Sequence, residues 1–230
     1  MKSERENIFT RIREALRVAA PVSGHVQGEE GAAASLPTPD DLRRVMPAVD
    51  DTVKAQWALF AATVAELNAD FKQVTDAVGL AQELKALAAA GQWKRVASHQ
   101  GGLCKPAAES LDLPLVLTEP TPSKSDLEQC DAGISECDAL VAQTGTVVVT
   151  NRSAGGRALS CLPQHHVVIA RREQLVPDLP TAFALLKSKY GDNYPSMISF
   201  ISGPSRTGDI ERILVLGAHG PKKLTIFCVG

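Results

Sequence analysis

Aromatic residues make up only 4% of the 230-residue sequence, too few to supply the stacking platforms of a single-strand nucleic-acid binder. The formal net charge is −2, which provides neither a basic field for nucleic acid nor an acidic solvating tail. The five cysteines, Cys104, Cys130, Cys137, Cys161 and Cys228, are odd in number, widely spaced and without a C-x-x-C. Neither they nor the pair His165-His166 has the spacing of a zinc or iron–sulfur site, so no metal is expected in the chain itself. They read as reduced core or near-core thiols of a cytoplasmic protein. No uncharged apolar run approaches the length of about 20 residues that a membrane helix needs. The charged N-terminal stretch lacks the apolar segment of a signal peptide, and cytoplasmic localisation is the expectation. G-x-G-x-x-G, the P-loop and H-E-x-x-H are missing as well. The nearest approach to a nucleophile elbow is Gly203-Pro204-Ser205-Arg206-Thr207, where Pro204 would disturb the incoming strand and Thr207 stands where a small residue is wanted.

What is present is an ordinary globular balance, 44% hydrophobic and 22% charged, in a chain long enough to bury a sizeable core. Residues 2–19 place Ile8, Ile12 and Leu16 at helical spacing on a basic amphipathic helix, a candidate for covering the core or for subunit contact in a possible homodimer. Pro21 to Asp41 has the composition of a linker. Val53, Trp57, Phe60, Ala61, Val64 and Leu67 predict a second helix ending near Asn68. A short strand at 71–74 follows, then a helix capped by Asp76, with Val78, Ala81, Leu84, Leu87 and Ala88 inward, stopping at Gly91. Strands are expected at 95–98, 113–117, 139–142, 147–150, 166–170, 197–201 and 224–229, and helices at 105–111, 125–130, 156–162, 179–189 and 209–216. This alternation predicts an α/β fold with helices on both faces of a sheet. Ala139–Ala142 and Thr146–Thr150, joined by a tight turn, must run antiparallel, which makes the sheet mixed. The expected division is 1–70 as N-terminal helices and linker, then 71–230 as the α/β domain.

Polar residues that could do chemistry gather in three loops. The first is Thr144-Gly145-Thr146, whose hydroxyls and N–H groups could face an anion. The second runs from Asn151 to Arg157, where Gly155-Gly156 allows close ligand approach and Arg157 could grip a carboxylate or phosphate. The third is Gly203 to Pro221. There Gly203, Ser205, Arg206 and Thr207 form a constrained turn, Asp209 and Glu211 suit the first turn of a helix, and His219 lies among glycines ahead of Pro221. His219 cannot belong to a regular apolar face and is the histidine best placed for acid/base work. Ser205, Thr207 and Asp209 could equally serve as helix caps. Glu136, next to an apolar strand, is a further carboxylate candidate. The three loops are expected to meet in one cleft at the carboxyl ends of the strands.

Several blocks in order, Ser135-Glu136-Cys137-Asp138-Ala139 into Thr144-Gly145-Thr146, then Arg157, Leu159 and Pro163, then Gly203 to Glu211 and Gly217-Ala218-His219-Gly220-Pro221, resemble the lactate utilization protein C family, whose module is the LUD domain. The resemblance covers about the C-terminal half. It implies a three-layer α/β/α fold similar to sugar-phosphate isomerases and coenzyme A transferases, with a mixed sheet of about six strands. It implies a subunit of an L-lactate oxidation system that yields pyruvate, acting with partner proteins that carry iron–sulfur clusters and contributing a small-anion or cofactor pocket. The catalytic candidates from the residues themselves are His219, Asp209 and Glu136. Thr144, Gly145, Thr146, Arg157, Gly203, Ser205, Arg206 and Thr207 would bind the ligand. The alternative is a free-standing isomerase-, transferase- or cyclo-ligase-like enzyme on a phosphorylated or coenzyme A substrate. In coenzyme A transferases of that fold the nucleophilic glutamate lies in Ser-Glu-Asn-Gly, whereas Cys137-Asp138 follows Ser135-Glu136 here.

Overall fold

A computed structural model of the chain describes residues 9–10, 46–119, 122–207, 215–217 and 219–230. The chain divides into two compact units, Met1–Leu42 and Arg43–Gly230. Of the expected N-terminal helix only Phe9 and Thr10 are described, both helical; the linker Pro21–Asp41 lies outside the described residues.

Within the second unit, helix α1 (Val53–Glu66) starts at Thr52, whose side chain accepts from the Ala55 N–H, and buries Trp57, Phe60 and Val64. These are the residues that the helical period selects. Strand β1 (Asp70–Val74) and helix α2 (Ala77–Ala90) follow, the helix capped by the Asp76 carboxylate at the Gly79 N–H and closed at Gly91. Its buried stripe is Leu80, Leu84 and Ala88. Val78, expected inward, is 66% exposed because the stripe runs through Leu80, two residues and hence just over half a turn away. Then come β2 (Val96–Ser98), α3 (Cys104–Glu109), β3 (Leu115–Leu117) and α4 (Lys124–Glu128). The chain continues through β4 (Ala132–Glu136), β5 (Ala139–Val141) and β6 (Thr146–Thr150) to β7 (His165–Arg171) and β8 (Leu175–Val176). Helix α5 (Leu179–Tyr190) and strands β9 (Ile198–Ile201), β10 (Arg206–Thr207), β11 (Val215–Leu216) and β12 (Lys223–Val229) complete it.

Six strands form a parallel sheet in the order β1-β12-β7-β4-β2-β3. A second sheet, β8-β5-β6-β9, contains the expected hairpin: β5–β6 and β6–β9 are antiparallel, β5–β8 parallel. The α/β class and the six-stranded sheet therefore stand, while the mixing of directions belongs to the second sheet. A parallel sheet needs cover on both faces. On one face α2 and α3 pack Leu80, Leu84, Cys104 and Ala107 against Val96, Ile134, Val167, Ile169 and Phe227. On the other, α1 and the second sheet place Phe60, Val64, Leu140, Val147 and Val149 against Val168, Ala170, Leu224 and Ile226. The second sheet's outer face is covered by α5 through Ala182, Leu186 and Tyr190.

Three expectations are corrected. The segment 156–162, expected as a helix, consists of turns; Gly155 and Gly156 both take positive φ, 60° and 114°, which a helix does not tolerate. Val215–Leu216, expected to end a helix, pair as a strand with Arg206–Thr207, so Thr207 lies in a two-stranded ribbon and not at a helix cap. Strand β4 was not expected, yet it lies at the centre of the parallel sheet between β7 and β2. Its Gly133 admits no Cβ, because the Leu159 carbonyl and the Pro163 ring press against it.

Candidate functional site

Register defines the two ends of the parallel sheet. Ala132, His165, Lys223 and Asp70 lie at or near the amino ends; Ser98, Glu136, Arg171 and Val229 lie at the carboxyl ends. Loops leaving carboxyl ends of neighbouring strands converge, and ligand sites of open α/β sheets form there. Here that end holds a cleft of about 570 Å³ lined by His99, Glu119, Glu136, Arg152, Arg171 and Lys189, among others.

Glu136 ends β4, and its Oε1 accepts from the N–H groups of Leu103 (2.7 Å) and Cys104 (3.3 Å). The glutamate is thus seated on the backbone at the start of α3. His99, just past β2, accepts from the Glu136 backbone N–H through Nε2 at 3.4 Å. Burial holds the His99 ring below the ordinary histidine range despite the neighbouring Glu136 and Glu119 carboxylates. The backbone leaves little room at this point: a Cβ on Gly101 would collide with the Glu136 carboxylate and the His99 ring, and one on Gly155 with the His99 side chain.

Behind the cleft lies a buried carboxylate. Asp138 Oδ1 accepts from Lys189 Nζ (2.6 Å) and from Tyr190 OH (2.5 Å), while Oδ2 is buried without a partner. Burial pushes this carboxyl up, but the hydrogen bonds from Lys189 and Tyr190 outweigh it and hold it below the usual carboxylate range. The same contacts raise the Lys189 ammonium and, with burial, the Tyr190 phenol. Arg152 stacks over the Tyr190 ring, 5.2 Å from its centroid, and donates to Asn193 O (3.1 Å) and Oδ1 (2.8 Å). The cleft therefore offers two exposed guanidinium groups, Arg152 and Arg171, beside an ammonium anchored by a buried aspartate. That pattern can hold a small anion.

The expected site residues do not meet there. Glu136 lines this cleft, whereas Gly203, Ser205 and His219 line a different cavity of about 260 Å³ at the opposite end of the sheet, next to His166 and Leu224 near the amino ends of β7 and β12. The third loop closes this cavity through hydrogen bonds from Ser205 N to Pro221 O and from Gly217 N to Ser205 O, both 2.9 Å. Thr144, Gly145 and Thr146 line neither. Gly145 takes φ 58° and presses against Thr63 and Val64 of α1, and Thr146 Oγ1 lies 2.7 Å from Ser202 Oγ, so this turn supports the third loop from behind. Arg157 donates to the Ser196 carbonyl at 2.6 Å and lines neither cavity. Arg206 is exposed; Asp209 lies outside the described residues. The longer connection from β6 to β7 serves both ends: Arg152 and Ser153 of the second loop line the carboxyl-end cleft, while Ser160 and Cys161 beyond it line the amino-end cavity. The residues that sequence reading missed are His99, Arg152, Arg171 and Lys189. Only the Asp138 block was a readable signal for them, since Lys189 and Tyr190 are its partners.

The LUD domain profile matches residues 109–229. The chain belongs to the LUD domain family. Among its relatives are "Lactate utilization protein C" of Halalkalibacterium halodurans, 44% identical over 96 residues (41% of this chain, 42% of the relative), and its namesake in Deinococcus radiodurans, 33% identical over 113 residues (49% and 52%). "Lactate utilization protein C 1" of Bacillus mycoides is 43% identical over 93 residues, 40% of either chain. These matches span about two-fifths to half of the relatives' length. A crystal structure of a DUF162 family protein from Deinococcus radiodurans superposes with a TM-score of 0.62 at 23% identity, covering 79% of this chain and all of that one; this shows a shared fold. The LUD segment contributes Glu119, Glu136, Arg152, Arg171 and Lys189 of the carboxyl-end cleft, and only His99 and its neighbours come from upstream.

Proposed function

We propose that this LUD domain protein is a component of a lactate utilization system that oxidises L-lactate to pyruvate, and that its carboxyl-end cleft holds a small carboxylate or phosphorylated ligand. The observation that carries the reading is the cleft itself: the LUD domain segment supplies Arg152, Arg171 and Lys189 around one opening. A carboxylate there would meet two guanidinium forks, and the buried Asp138 would keep Lys189 charged and in place. Electron transfer is assigned to iron–sulfur partner proteins. Cytoplasmic location belongs to the same reading; among the described residues no helix is long and apolar enough to cross a membrane.

Co-purification of the tagged chain from its host with and without lactate, followed by lactate-dependent dye reduction, tests this. The expected result is activity with the partners and none with the chain alone. Turnover by the isolated chain would reject the subunit reading. The alternative, a free-standing transferase-like enzyme, would give no dye reduction but coenzyme A-dependent acyl transfer by the chain alone; its specific observation is Glu136, seated on two N–H groups in the cleft. Glu136→Gln would then abolish turnover.

A further inference from the structure

The second sheet, β8-β5-β6-β9, ends in β9, which has a neighbouring strand on one side only. An open strand edge is a template for another strand, and proteins blunt it with charge, with proline or by keeping it very short. Three of the four edges of the two larger sheets are blunted in this way. Strand β1 carries Asp70 and Lys72, β3 follows Pro114, and β8 has two residues ahead of Pro177. Ile198-Ser199-Phe200-Ile201 has no charge and no proline in it or next to it, and all four residues are partly exposed.

The alternation of hydrogen bonds along the ladder decides which groups this edge presents. Asn151 N donates to Met197 O at 3.2 Å, so the pairs Val149–Ser199 and Val147–Ile201 also point their N–H and C=O groups at each other. Val148 agrees, since its carbonyl turns the other way to accept from Asp138 N at 2.8 Å. The N–H and C=O groups of Ile198 and Phe200 therefore point outward from the edge. Among the described residues no backbone group bonds them there. On the α5 side, the Phe200 ring lies 5.0 Å from that of Phe183, itself 57% exposed. Ile201 faces the other way and packs with Val147 and Leu224. The amino-end cavity is lined by Ser199, Phe200 and Ile201 in succession. Residues that face alternate sides can share one cavity only along the edge of their strand. That cavity therefore runs along the side where β9 lacks a neighbour.

We propose that a second copy of this chain occupies this edge, β9 pairing antiparallel with the partner's β9 about a two-fold axis through Ser199. The edge is its own complement. With that axis, Ile198 lies opposite the partner's Phe200, and every outward N–H of one strand meets an outward carbonyl of the other. The two four-stranded sheets join into one of eight. On the α5 side each Phe200 packs across the axis on the partner's Ile198, with Phe183 beside it; aromatic and β-branched residues make favourable cross-strand pairs. No like charges oppose the pairing, because Ser199 meets the partner's Ser199 at the axis. The amino-end cavity of each copy is then bounded along its open side by the other.

Sedimentation of the full chain is expected to show a dimer at micromolar concentration. Ile198→Pro removes an outward donor and leaves the bonds to β6 intact, since proline is tolerated on edge strands. It is expected to weaken the dimer at least about tenfold, because half of the backbone bonds across the axis are lost. A crosslink reads the same register should that variant fail to fold. In a Cys161→Ser chain, Ser199→Cys puts two thiols opposite each other in a non-hydrogen-bonded pair, with Cα atoms about 4.5 Å apart and within disulfide reach. Oxidation with copper–phenanthroline is expected to link most of this variant into dimers, and little of a Ser196→Cys control, which is exposed but off the axis. A chain that stays monomeric at high micromolar concentration, a dimer unmoved by Ile198→Pro, or equal crosslinking from positions 199 and 196 would each overturn the proposal. None of these outcomes depends on lactate oxidation.

Discussion

The two ends of the parallel sheet solve opposite problems with the same strands. At the carboxyl end, ionic groups are collected and held: Glu136 by backbone N–H groups, Lys189 and Tyr190 by Asp138, Arg152 by Asn193. At the amino end, the described lining of the cavity carries no Lys, Arg, Asp or Glu, and His166 Nδ1 is buried without a partner. The difference follows from what each end can offer. Strands β2, β4 and β7 run out at the carboxyl end into polar segments that carry their own charges. At the amino end, the crossover from β6 to β7 and the constrained third loop pack tightly over strands that are already buried. The charge of each cavity is therefore not set by one loop, since the connection from β6 to β7 contributes to both.

The sharpest way to break this contrast is at the cleft. Arg152→Ala combined with Arg171→Ala is expected to lower lactate-dependent dye reduction by the assembled system at least about tenfold, since paired guanidinium contacts to an anion are lost. Unchanged turnover would remove the cleft from the function. Next in size is Asp138→Asn. Taking the charge from a buried partner of Lys189 and Tyr190 is expected to destabilise the protein by about 3 kcal/mol, read as a lower denaturation midpoint. The loss should stay below the upper range for buried pairs, because Lys189 is half exposed and can turn to solvent.

Acid sharpens the contrast at the other end. His165 and His166 have folded pKa values pushed down to about 4 and about 3, from 6.5, by burial foremost. The unfolded chain therefore binds protons that the folded chain refuses. Their contribution to stability is complete above pH 6.5 and is lost as pH falls through the window down to the folded values. At pH 5 each histidine is expected to cost about 2 kcal/mol relative to neutral pH, and His165→Gln should remove about one proton from the acid-unfolding slope. Asp138 acts lower still: its depressed carboxyl stabilises above 3.8 and loses that effect as pH falls through its folded value. The smallest effect is expected at a position belonging to neither end. Gly145→Ala forces a Cβ against α1 at positive φ and should cost about 1–2 kcal/mol, with no change in ligand binding at either cavity.

The legible parts of this fold were those written in local chemistry. Trp57, Phe60 and Val64 recur at helical spacing, Asp76 and Gly91 bracket α2, and the Ala139–Thr150 hairpin announces itself through its turn. Strand β4 was illegible because its central position demands a glycine and a serine, Gly133 and Ser135, where a strand pattern wants β-branched residues. The third loop was correctly singled out as constrained, but its place was not readable. Parallel strands put residues distant in sequence at one end, and nothing local tells which end a loop will reach. Glu136 and His219 looked like partners in the sequence and lie at opposite ends. Arg171 and Lys189 carry no signal in the sequence and line the same cleft as Glu136.

The pairing of β1 with β12 has a further consequence, in time. The first strand of the sheet, Asp70–Val74, finds its neighbour only in Lys223–Val229, and β12 is also the bridge to β7. During synthesis β1, α1 and α2 therefore emerge long before the strand that holds them to the sheet exists. Contacts that bridge so much sequence are slow to form and leave apolar edges open meanwhile. A ribosome stalled before Lys223 would thus carry an edge strand without its partner. The strand that joins β1 to the rest of the sheet is the latest of its six in sequence.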